Sequence, residues 1–140
     1  MGLRSIEMDS SSIDLPGCEV ESIEKEGSRV SLRFSRAYII KTMTGSAERT
    51  RWWQAGSLVF ENAEVDGDLP PLPGICSGGD VGENIYTYRD MIPIPLQSRG
   101  HAFCDLGFEG TDLRLRVQAG SVHLDMIDRP RYIDHLRPGV

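Results

Sequence analysis

Residues 101–127 constrain the fold more tightly than any other stretch. Apolar residues alternate with polar ones in three successive sets. The first is Ala102, Cys104, Leu106 and Phe108; the second Leu113, Leu115 and Val117; the third Val122, Leu124 and Met126. Side chains of a strand point alternately to opposite faces, so a period of two marks a strand with one buried face. A two-residue loop at Gly110-Thr111 puts glycine first, as a type II′ turn requires. It pairs Phe108 with Leu113, Leu106 with Leu115 and Cys104 with Val117. A second loop at Ala119-Gly120 pairs Val117 with Val122, Leu115 with Leu124 and Leu113 with Met126. A one-residue slip would break both sets of apolar pairs. On the other face Asp105 then lies opposite Arg116, and Arg114 opposite Asp125. The pattern predicts a three-stranded antiparallel meander over 101–127.

The rest of the chain reads as further strands. Residues 1–17 form an N-terminal arm, with Ser10-Ser11-Ser12 as a break and Pro16-Gly17 as a turn. Residues 18–25 read as a strand rich in glutamate, in which Val20 and Ile23 have opposite parity and imply a bulge or an exposed edge. Val30, Leu32 and Phe34 alternate, and the strand continues through Tyr38, Ile39 and Ile40 with burial on both sides. Residues 43–49 are a polar loop around Gly45-Ser46. An extended segment follows over 52–65, bent at Gly56.

Residues 66–84 carry Pro70, Pro71, Pro73, Gly74, Gly78, Gly79 and Gly82. That composition predicts a long irregular loop, with a short edge strand over 72–76 as the alternative. Residues 84–89 read as a strand, and Pro93 and Pro95 place the next apolar run at a sheet edge. Tyr132, Ile133 and Leu136 close the core as a short strand or one helical turn. The whole predicts a single all-β domain over 1–140, an antiparallel β-sandwich or flattened β-barrel of about eight strands.

A chain of 140 residues buries roughly two-thirds of its unfolded surface, enough for one core. The net charge of −6 repels phosphate backbones and anionic lipid, which argues against nucleic acid and membrane surfaces as partners. No apolar leader or bilayer-length run is present, and Met1-Gly2 is followed by Ile6 where a myristoylation motif needs Ser or Thr. Three cysteines, Cys18, Cys76 and Cys104, are widely spaced and form no zinc pattern. A reducing, cytoplasmic setting is the expectation. Cys104 reads as a core hydrophobe, whereas Cys18 and Cys76 sit near strand ends.

Candidate chemistry is sparse. Asp105, Arg116 and His123 fall in one row on the outward face of the expected meander, where a solvated charge ladder competes with an acid–base pair. Asp90 and His123 are the residues an enzyme reading would use. Glu64, Asp66, Asp68, Asp80 and Glu83 gather around the long loop, but Leu69-Pro70 follows Asp68 where a calcium loop needs glycine. No metal or other cofactor is expected. Gly78-Gly79-Asp80-Val81-Gly82 is turn chemistry, because it opens no helix.

Trp52, Trp53, Tyr86 and Tyr88 are four of the ten aromatic residues, on two strands that flank the loop. Adjacent tryptophans point to opposite faces, so one is left for the surface. These readings make the chain a non-enzymatic protein-interaction module. Its expected binding residues are Trp52, Trp53, Tyr86, Tyr88 and Asp80. A small-ligand or carbohydrate-binding sandwich or barrel is the alternative.

Overall fold

The computed structural model describes residues 10–43 and 48–136. Leu3, Ile6 and Met8 of the expected arm, and Gly45-Ser46 of the expected loop, lie outside the described residues. The described chain is all strand and turn. In order the strands are β1 (Ser10–Asp14), β2 (Glu19–Glu26), β3 (Arg29–Thr42), β4 (Arg49–Glu61), β5 (Glu64–Val65), β6 (Gly74–Glu83), β7 (Tyr86–Arg89), β8 (Met91–Ile94), β9 (Gln97–Phe108) and β10 (Leu115–Leu136).

All strands join one antiparallel sheet. The pairings run β2-β6-β9-β10-β4-β3, and β2 also pairs β3, so six strands make a closed circuit. The β2–β6 link is short, Glu19 with Ile75 and Val20 with Gly74. β1 pairs the second half of β3, and β8 follows outside β1. The circuit buries one face of each strand. Val30, Phe60 and Val122 make one cross-strand row of the core; Leu32, Leu58 and Leu124 make another. Phe34, Phe60, Leu32, Leu58, Leu106 and Leu115 are fully buried.

Three long strands, β3, β4 and β10, outrun the core, with extra residues inserted in β3 and β10 but none in β4. β3 buries Val30, Leu32 and Phe34, then Ala37 and Ile39. The parity changes where Phe34 pairs Gly56 but Ala37 pairs Gln54, so an extra residue is inserted in β3. Burial on both sides of Tyr38, Ile39 and Ile40 is therefore corrected: alternation resumes, shifted by one. β10 inserts two residues between Ile127 and Arg131 opposite the same part of β4. Gly56 sits at this joint, where an added Cβ would lie 2.8 Å from Met126 Sδ and 3.0 Å from the Asp125 carbonyl oxygen. The expected bulge in β2 is found between Val20 and Ser22.

The three-stranded meander over 101–127 is corrected to one hairpin. β9 and β10 pair in the expected register, Leu106 with Leu115, Asp105 with Arg116 and Cys104 with Val117. The ladder stops there, leaving Leu113 exposed. No second hairpin forms. β10 runs on through Ala119-Gly120 opposite a bulge in β9, where Gly100 and His101 face Gly120 alone, and Val122 lies opposite Ser98 and Phe60. A bulge and a two-residue turn swap the parity of the following side chains alike. The alternating pattern is therefore the same for both, and β4 supplies the apolar partners assigned to the third strand.

Two further expectations change. Residues 66–84 are not one loop: Gly74–Glu83 is β6, paired with β2 at Gly74 and Ile75 and with β9 from Cys76 to Glu83. Its glycines stand where neighbours approach closely. A Cβ on Gly79 would overlap the Asp105 carbonyl, and one on Gly82 would overlap the Phe103 ring. The described part of the arm is likewise a strand. Ser11 pairs Lys41 on one side and Ile94 on the other, so ladder bonds on both flanks override the weak strand preference of serine. Ile13 and Leu15 are fully buried.

Candidate functional site

Beyond the bulges, the far halves of β3, β4 and β10 continue as a three-stranded extension. Tyr38, Trp53 and Arg131 lie in one cross-strand row; Ile39, Trp52 and Tyr132 lie in the next. Residues of one row share a face, and successive rows alternate. Ile39 is buried, so Trp52 points to the core side and Trp53 to the outer side.

Both rings are dressed with cations. The Arg36 guanidinium lies over Trp53 at 4.2 Å from the ring centroid, and Arg131 approaches it at 5.4 Å. Arg51 covers Tyr38 at 4.6 Å. On the core side Lys41 Nζ lies 4.3 Å from the Trp52 centroid, and Tyr132 meets Trp52 edge to face at 5.3 Å. Trp52 Nε1 donates to Thr50 Oγ1 at 2.8 Å, and the Tyr38 hydroxyl to Glu19 Oε2 at 3.3 Å. Residues 36–43, 48–54 and 127–136 hold six Lys or Arg against three carboxylates, in a chain whose net charge is −6.

A groove of about 340 Å³ adjoins the outer face, lined by residues that include Ser12, Asp14, Ile40, Thr42, Arg49 and Arg51. Ser12 pairs Ile40, and Ile40 pairs Arg51, so the groove continues the face that carries Tyr38 and Trp53. The Arg51 Nε is buried with no hydrogen-bond partner. Among the described residues, neither Arg49 nor Arg51 is in an ion pair.

The other expected binding residues lie elsewhere. Tyr86 and Tyr88 stack on β7 with centroids 6.5 Å apart. Tyr86 is exposed, and the Tyr88 hydroxyl donates to Glu83 Oε2 at 2.7 Å. That hydrogen bond, with burial and the Glu83 charge, pushes the phenol up to about 12. Asp80 pairs with Arg89 at 3.1 Å. The strands β10, β9 and β6 separate β4 from β7 in the pairing order, so the Trp and Tyr pairs stand on different parts of the sheet.

Residues of the enzyme reading have other partners. His123 lies opposite Gln97 and Val59, not Arg116, because the second hairpin is absent. Arg114 lies not opposite Asp125 but against Asp105, whose Oδ1 accepts from its Nε at 2.6 Å. Asp90 Oδ1 accepts from the Gly79 N–H. All three thiols are buried and unpaired. Burial raises Cys18 to about 12 and Cys76 to about 11, and it raises Cys104 as well. A thiol held protonated is a poor nucleophile. No group of three or more His, Cys, Asp or Glu placed to hold a metal ion occurs among the described residues.

Reading the sequence missed Arg36, Arg49, Arg51, Arg131 and Tyr132. Their only signal was the local excess of cations in an acidic chain, which charge patterning by segment would have exposed. Comparison with protein-family models, curated proteins and solved structures finds no match to this chain.

Proposed function

We propose that the protein is a non-enzymatic interaction domain that holds an acidic segment of a protein partner against the outer face of β3, β4 and β10. The observation that carries this reading is the layer of Arg36, Arg131 and Arg51 on Trp53 and Tyr38. A guanidinium stacked on a ring keeps the N–H donors along its edge free. The layer thus holds planar donors in place for carboxylates, with less side-chain freedom left to lose on binding. The overall charge of −6 repels any polyanion at long range, so the reading takes a short acidic segment, whose few charges the local cations can match, in preference to a long polyphosphate. Tyr86, Tyr88 and Asp80 fall outside this surface.

The reading includes a reducing, cytoplasmic setting, supported by three buried unpaired thiols. No helix among the described residues is long and apolar enough to cross a membrane.

Both tryptophans of the chain lie in the extension, so intrinsic fluorescence reports on it directly. A peptide rich in Glu and Asp is expected to change the emission saturably, and less so as salt rises. A matched Lys-rich peptide is expected to do nothing. Trp53→Ala is expected to weaken the acidic peptide by roughly 30-fold, the loss typical of an aromatic anchor, and Tyr86→Ala to leave it unchanged. No response, or an equal response to both peptides, would overturn the reading.

A further inference from the structure

We infer that the groove beside Arg51 is a carboxylate-binding subsite, filled by an acidic side chain of the partner; this rests on the reading above. The groove has a volume of about 340 Å³ and opens on the same face as Trp53. Its donors are Arg49, Arg51, Ser12 and Thr42. Burying a charged donor without a partner is costly, and the Arg51 Nε stands in that condition. Stacking on Tyr38 fixes the plane of this guanidinium. A planar carboxylate matches a planar fork with two parallel hydrogen bonds.

Charge decides between oxyanions. Arg49 and Arg51 bring two positive charges and Asp14 one negative. The lining therefore balances a monoanion, while a phosphate dianion would face Asp14 with its second charge. The hydroxyls of Ser12 and Thr42 complete the donor set without adding charge. Arg131 and Arg36 stack on Trp53 farther along the face and do not line the groove. One acidic side chain then enters the groove while its neighbours in the peptide meet the Trp53 layer.

The test follows the side-chain Nε–H resonances of arginine in 15N-labelled protein. Propionate, inorganic phosphate and the acidic peptide are titrated separately. Propionate and the peptide are each expected to move the Arg51 Nε–H signal saturably, with phosphate weaker. Arg51→Lys keeps the charge but loses the fork, and should weaken propionate about tenfold or more. Backbone amide spectra of the variant check that the fold is kept. If the peptide alters tryptophan emission while both peptide and propionate leave the Arg51 signal unmoved, the subsite is wrong and the interaction reading stands. If propionate moves the signal and the peptide does not bind, the carboxylate site stands and the interaction reading falls. Phosphate binding more tightly than propionate would overturn the carboxylate assignment.

Discussion

The Gly79 N–H donates to Asp90 Oδ1 at 2.8 Å, and the Asp90 N–H donates back to the Gly79 carbonyl at 2.7 Å. Asp90 adopts φ 60°, a conformation that Asp and Asn tolerate better than most residues. Its own carbonyl accepts from the Leu15 N–H at 2.9 Å. One residue thus ties the corner between β7 and β8 to β6 and to the end of β1. A Cβ on Gly78 would occupy the place of this carboxylate. Asp90→Ala is expected to cost about 1–3 kcal/mol, as for loss of a hydrogen bond to a charged group. Asp90→Asn should retain most of the stability. Urea midpoints compare the variants, and an unchanged midpoint for Asp90→Ala would remove Asp90 from any structural role.

The same link predicts how the glycine-rich segment exchanges. β6 pairs β9 from Cys76 to Glu83, so its amides sit in a two-sided ladder for much of that length. Residues 67–73 lack such pairing. Amides of 76–83 are therefore expected to exchange hydrogen nearly as slowly as those of 102–108, and those of 67–69 much faster. Mass spectrometry of deuterated fragments resolves the two halves. Fast exchange throughout 67–83 would mean that β6 opens independently of the sheet.

The legible parts of this fold were those set by local pattern, and the illegible parts those set by close approach and by bulges. Leu106 and Leu115 were readable as partners because alternation and a glycine turn agreed on one register. Gly110 indeed has positive φ, at 80°. The path after Ala119 was not readable, since a bulge and a turn shift the pattern alike. β6 was hidden because glycine normally weakens a strand. Here Gly79 and Gly82 are small because Asp105 and Phe103 occupy the space. The opposite faces of Trp52 and Trp53 followed from strand geometry alone. Their cationic neighbours did not, because Arg36 and Arg131 reach Trp53 only after β3 and β10 have slipped in register.

Burial and backbone conformation separate three substitutions in the one hairpin. Leu115 is fully buried, and Leu115→Ala is expected to cost about 2–5 kcal/mol. Gly110→Val is expected to cost more than roughly 1 kcal/mol, by backbone strain alone, because a Cβ at Gly110 meets no atom within 4 Å. Arg114→Ala should cost about 1 kcal/mol or less, its side chain being 39% exposed. Chemical denaturation ranks them. Arg114→Ala as the worst of the three would contradict the assigned faces.

Asp105 makes the acid limb of the stability curve specific to one residue. It sits in an outward row with Arg89, Asp80 and Arg116 across β7, β6, β9 and β10. Partial burial would raise its carboxyl, but the hydrogen bond and charge of Arg114, reinforced by Arg116, prevail and hold it below its ordinary 3.8. A carboxyl that ionises more readily in the folded state stabilises the fold at pH above its unfolded value. That contribution falls away as pH drops through the folded value, which lies lower still. Asp80, its cross-strand neighbour of like charge, is drawn to Arg89 instead, which spares Asp105 its repulsion. Asp105→Asn is therefore expected to be less stable than wild type at pH 6, and the gap should narrow as the pH falls below the ordinary carboxyl value of 3.8. Thermal unfolding across that range measures it. A gap that persists undiminished in acid would show that the side chain acts through shape or neutral hydrogen bonding, and not through its charge.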